Sequence, residues 1–186
     1  MKLIDKRVTE FLDEISSKKP TPGGGSASAM AGSMAAALVG MVGRLTGTER
    51  AKAIIKESDA IRIRLTNLID EDSEAFIAFM KAPPTRKQES LRLAAIVPVE
   101  TTELSYRILQ MADELVRTGN KNAITDAGVA CLLADAAIRG AMLNVRINLR
   151  YIKDQEFKDK IEAKVRLYSD SVEKRQATMK YVMEHL

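Results

Sequence analysis

From Pro20 to Gly43 the chain carries no charged residue, and twelve of the eighteen residues from Ser26 to Gly43 are Gly, Ala or Ser. Side chains this small let neighbouring backbones come close, so the stretch suits a central helix surrounded by other helices. Its length invites a test as a membrane span, but Leu38, Val39 and Val42 are its only strongly apolar aliphatics, which argues against one. Immediately before it stands Thr21-Pro22-Gly23-Gly24-Gly25-Ser26. Pro22 cannot continue a helix, the glycines open backbone conformations closed to other residues, and Ser26 is a good N-cap. Such a helix start offers unpaired N–H groups and the positive end of the helix dipole to an anion or an oxygen-rich ligand; a plain loop and cap is the simpler alternative.

The rest of the chain is helical in period, and strand signals are nearly absent. Ile4, Val8, Phe11, Leu12 and Ile15 mark one face of an amphipathic surface helix, and the small-residue helix follows over about 26–45. Thr46-Gly47-Thr48 supplies a break and the next cap, ahead of a long helix over about 49–80. Pro83-Pro84 ends it, and Thr85 with Gln88 reads as a capping box for a helix to about residue 117, kinked or divided at Pro98. Gly119 and Asn120 stop that helix, Thr125 or Asp126 caps another to about residue 152, and a last one runs from Asp154 to the C-terminus. Its inner face carries Phe157, Ile161, Val165, Tyr168 and Val172. The expected fold is all-α: one domain over residues 1–186, an antiparallel bundle of six to seven helices.

Chemistry is narrowed by what the chain lacks. Cys131 is its only cysteine and His185 its only histidine, which removes disulfide frameworks, zinc clusters and histidine triads. Reaction chemistry then falls to carboxylates, Lys, Arg, Tyr or hydroxyls, with no metal expected. The net charge of +4 comes from 29 Lys and Arg against 25 Asp and Glu, without a basic run and without Trp, so a nucleic-acid platform is not expected either. A charged N-terminal stretch and a lone cysteine suit the cytoplasm.

One carboxylate breaks the pattern. Ile54, Ser58, Ile61, Leu65, Leu68, Asp72, Ala75 and Phe79 step by four and three along the long third helix, which places Asp72 on the inward stripe while Asp70, Glu71 and Glu74 project elsewhere. An inward carboxylate must be paired, hydrogen-bonded, protonated or turned to a cavity. It is either a structural partner of a neighbouring helix or a general base with a raised pKa. Farther on, Asn144 and Asn148 are four apart, and Arg139, Arg146 and Arg150 repeat at helical spacing. If these line a cleft, the asparagines suit a polar heterocycle and the arginines a carboxylate; otherwise they tie helices together or face solvent. Asp126 reads first as a cap, and second as a polar group at a pocket rim.

Pro22-Gly23-Gly24-Gly25-Ser26, Asp72-Ser73-Glu74-Ala75-Phe76, Val97-Pro98, Gly119-Asn120 with Thr125-Asp126, and Asn144-Val145-Arg146-Ile147-Asn148-Leu149 together resemble the cyclodeaminase family. That family includes the cyclodeaminase domain of formiminotransferase-cyclodeaminase and stand-alone methenyltetrahydrofolate cyclohydrolases. Thr125 stands where the family often has serine, and the hydroxyl is kept. The resemblance implies a homodimer that binds a tetrahydrofolate between helices and needs no other cofactor. It identifies Asp72 with the family's proposed proton acceptor, and Pro22, Gly23, Gly24, Gly25, Ser26, Asn120, Asp126, Asn144 and Asn148 with substrate contacts. The expected reaction is closure of 5-formiminotetrahydrofolate to 5,10-methenyltetrahydrofolate with release of ammonia, the formimino group coming from a separate formiminotransferase. Its rivals are hydrolysis of the methenyl compound and a folate-binding or scaffold role without turnover.

Overall fold

The computed structural model describes residues 2–186 and places them in seven α-helices: α1 Val8–Ser16, α2 Gly24–Thr46, α3 Glu49–Lys81, α4 Lys87–Thr118, α5 Ile124–Tyr151, α6 Gln155–Arg166 and α7 Ser171–Glu184. No strand occurs among the described residues. The small-residue helix α2 packs against α3, α5 and α4, as its composition requires. Ala29, Ala35, Ala36, Val39 and Val42 are fully buried there, beside Leu65 and Leu68 of α3 and Ile138 of α5. The helix is not enclosed on every side: Met34, Met41 and Leu45 form an uncharged outward row. A second, smaller core joins Leu91, Ala95 and Val99 of α4 to Val145 and Leu149 of α5, with Ile161 and Val165 of α6 closing it.

Several boundaries fall where tertiary contacts put them. The N-terminal stretch is a short 3-10 turn, Leu3–Asp5, followed by α1; Phe11 alone is fully buried on α1, because so short a helix rests on the bundle by little more than one side chain. Thr48 caps α3 as expected, accepting from the Ala51 N–H, after Gly47 takes the left-handed conformation at φ 70°. The capping box at Thr85 and Gln88 does not form. Pro84 opens a 3-10 turn instead, and Gln88 is drawn to the α5–α6 junction, donating to the Tyr151 carbonyl and accepting from the Lys153 N–H. The last expected helix is two. Tyr106 packs its ring at a tilt against Tyr168 and donates to the Asp170 carboxylate, pinning a turn between α6 and α7.

Helix α4 runs unbroken through Pro98. Proline has no N–H, so the carbonyl four residues earlier, that of Ala94, loses its helical donor. Asn148 of α5 supplies the replacement, its Nδ2 donating to Ala94 O at 3.0 Å. A defect in α4 is thereby made good by a side chain of α5.

Candidate active site

Past Leu68 the inward stripe of α3 leaves the core and enters a cleft. Asp72, Phe76 and Phe79 form one wall; Gly23, Gly24 and Gly25, at the start of α2, form the second; Asn144, Ile147, Asn148 and Tyr151 of α5 form the third, with Leu91 and Ala94 of α4 behind. Its volume is about 250 Å³. That is at the small end for ligand pockets, enough to take the reacting head of an elongated ligand while the remainder lies outside. Among these lining residues Asp72 is the only carboxylate, and none is a lysine or arginine.

The glycine turn acts on Asp72 by contact. Helix α2 begins at Gly24, with Gly23 as its cap, so Ser26 is not the N-cap that the sequence suggests. It sits fully buried in the first turn, where its hydroxyl lies 3.0 Å from Asp72 Oδ2 and 3.0 Å from the Ile69 carbonyl. Gly25 has ordinary helical backbone; its lack of a side chain is what matters. A Cβ there would come within 2.6 Å of Asp72 Oδ2 and closer still to Cγ and Oδ1, so only glycine lets the carboxylate rest against this helix start. Burial pushes the Asp72 carboxyl above its ordinary value, opposed in part by hydrogen bonds from the Ser26 hydroxyl and backbone N–H. The result is a desolvated carboxylate that still faces the cleft.

Both asparagines reach the cleft with their amide nitrogens already engaged. Asn144 Nδ2 donates to the Gly140 carbonyl at 2.9 Å, and Asn148 Nδ2 to Ala94. Each retains a carbonyl oxygen free of any protein partner among the described residues, one helical turn apart, suited to accept from N–H groups of a heterocycle.

The other expected contacts lie elsewhere. Pro22 is buried behind the glycine turn and lines an adjoining basin. Asn120 clamps the opposite end of α2: its N–H donates to Thr46 Oγ1 and its Nδ2 to the Leu45 carbonyl, a helix length of roughly 30 Å from Gly24. Asp126 is half-buried in the first turn of α5, where it complements the helix dipole, and it too is far from the cleft. Arg139 and Arg146 line a separate hollow with Ser169 and Ser171. Beside Phe79 of the cleft wall stands a cation not singled out from sequence, Lys87, its ammonium 4.3 Å from the ring centroid and donating to the Phe79 carbonyl. The aromatic wall was legible as the continuation of the Asp72 stripe at Phe76 and Phe79; Tyr151, seven residues beyond Asn144, carries the same signal on α5.

The profile of the formiminotransferase-cyclodeaminase family matches residues 7–167. A methenyltetrahydrofolate cyclohydrolase from Methylorubrum extorquens is 37% identical, over 82% of this chain and 84% of that protein. The formimidoyltransferase-cyclodeaminase of Mus musculus is 31% identical over 88% of this chain, which spans only 34% of the mouse protein. The crystal structure of formiminotetrahydrofolate cyclodeaminase from Thermotoga maritima superposes with a TM-score of 0.86 at 28% identity, covering 97% of this chain and 96% of that one. Matched along most of its length in sequence and in fold, the chain is an enzyme of the formiminotransferase-cyclodeaminase family.

Proposed function

We propose that this enzyme opens or closes the methenyl bridge of 5,10-methenyltetrahydrofolate, with Asp72 moving the protons. The observation that carries the reading is a single desolvated carboxylate at the inner end of a cleft that offers amide oxygens on its facing wall. Hydrolysis to the 10-formyl compound stands first, because the cyclohydrolase relative matches this chain over most of both lengths. Water attacks the bridging carbon and gives one proton to Asp72, which returns it to N5 as the bond from carbon to N5 breaks. The remaining hydroxyl proton leaves as the formyl C=O forms, so one proton is released per turnover. The amide oxygens of Asn144 and Asn148 accept from N–H groups of the pterin and fix its orientation.

Cyclisation of 5-formiminotetrahydrofolate is the second reading, favoured by the Thermotoga neighbour and by the animal relatives. N10 attacks the formimino carbon, Asp72 takes the N10 proton, and the proton passes to the departing nitrogen as ammonia leaves. Following the methenyl chromophore with each folate in turn separates the two reactions. In either, Asp72→Asn keeps folate binding and lowers turnover by about a hundredfold or more. Full activity in that variant would sink the assignment of the base.

A further inference from the structure

Three hydroxyls behind Asp72 are joined to one another. Thr21 Oγ1 donates to Ser73 Oγ at 2.6 Å, Ser73 Oγ lies 3.2 Å from Ser26 Oγ, and Ser26 Oγ lies 3.0 Å from Asp72 Oδ2. Ser58 and Thr102, by contrast, bond only to carbonyls of their own helix, Ser58 to Ile55 and Thr102 to Pro98. This set instead runs in line from the carboxylate to a second basin. Ser26 is fully buried and Ser73 is 7% exposed, whereas Ser73 and Thr21 both line that basin, beside Lys6, Glu14 and Glu74. Thr21 lines the cleft as well, so the chain of hydroxyls connects the two hollows.

A ligand seated in the cleft covers the open side of Asp72. The hydrolytic reaction nonetheless leaves one proton to dispose of in each turnover. We infer that Ser26, Ser73 and Thr21 form a proton relay that discharges Asp72 into the second basin while product still fills the cleft; the inference rests on the hydrolytic reading above. After Asp72 has protonated N5 it is ionised again and takes the hydroxyl proton as the C=O forms. The carboxyl then gives this proton to Ser26 Oγ, Ser26 passes its own to Ser73 Oγ, and Ser73 passes its own to Thr21 or directly to water in the basin. Each oxygen gains one proton and loses one, and the carboxylate is restored. In the resting site the hydroxyls donate toward Asp72, so they turn outward before the transfer, the Ile69 carbonyl offering Ser26 an intermediate acceptor during that turn; the transfer itself leaves each donating toward Asp72 again.

The test uses the whole chain with Ser73→Ala, in weak buffer, with 5,10-methenyltetrahydrofolate as substrate. The relay predicts a first turnover within about twofold of wild type and a steady-state kcat about tenfold lower with KM lowered in proportion, so that kcat/KM is unchanged, since only the recharging of the base is slowed. Imidazole, a small diffusible base, restores the rate, and Ser73→Thr, which keeps the hydroxyl, retains it. A wild-type steady-state rate for Ser73→Ala in weak buffer overturns the relay. So does a slowed first turnover that imidazole does not improve, which would make Ser73 a purely structural support of Ser26. Wild-type protein that leaves the methenyl folate intact overturns the hydrolytic reading itself, and does so before any variant is made.

Discussion

Gly25→Ala sets helix stability against activity. The position has helical backbone in the first turn of α2, where alanine is favoured over glycine by up to about 1 kcal/mol. The new methyl group, however, would stand 2.6 Å from Asp72 Oδ2, and ordinary contact begins near 3.4 Å. Oδ1 and Cγ are closer still, so the carboxylate retreats by more than about 1 Å, and a displacement of about 1 Å in a reacting group already costs about a hundredfold in rate. Asp72 is half-buried at a cleft wall and has space to swing into, so the clash is relieved by moving the side chain and the bundle is not forced apart. The expected protein melts within about 4 °C of wild type, a range corresponding to about 1 kcal/mol in a chain of this size. It still binds folate and turns it over about a hundredfold more slowly. Thermal melting, a folate titration and the methenyl absorbance assay are sufficient. Turnover above about a third of wild type would refute the claim that this glycine exists to seat the carboxylate.

Ser26→Ala removes a hydroxyl that favours the ionised form of Asp72, so the carboxyl, already raised by burial, rises further. The base is then lost to protonation earlier on acidification, and the acid limb of the pH–rate profile moves to higher pH; a limb that stays in place or moves lower contradicts the proposed role. Asn148→Ala leaves the Ala94 carbonyl without a donor opposite Pro98, and denaturant unfolding should register a loss of about 1–3 kcal/mol. Stability equal to wild type would show that water takes the place of the amide. Self-association is proposed through the uncharged outward row of α2, Met34, Met41 and Leu45, in keeping with the homodimer that the family resemblance implies. Sedimentation at micromolar concentration should give twice the 20.5 kDa of one chain, and Met41→Glu should halve it; a wild-type monomer removes the proposal.

The sequence by itself determined the helical class, the central place of α2 and the inward direction of Asp72. Each of these follows from local composition or from a period of 3.6 residues, which is written along the chain. It marked the glycine turn, Asp72, Asn144 and Asn148 as candidates, and these four elements meet in the cleft. It could not show that Gly25 is needed for the room it leaves to a carboxylate 47 positions away, or that Asn148 repairs a carbonyl orphaned by Pro98. Those facts arise between helices. For the same reason Asn120 and Asp126, which resemblance groups with the site, lie at the far end of the bundle, and the division of α6 from α7 depends on Tyr106 reaching Asp170. Periodicity tells which way a side chain points from its own helix; only the packing of one helix on another decides what it meets there.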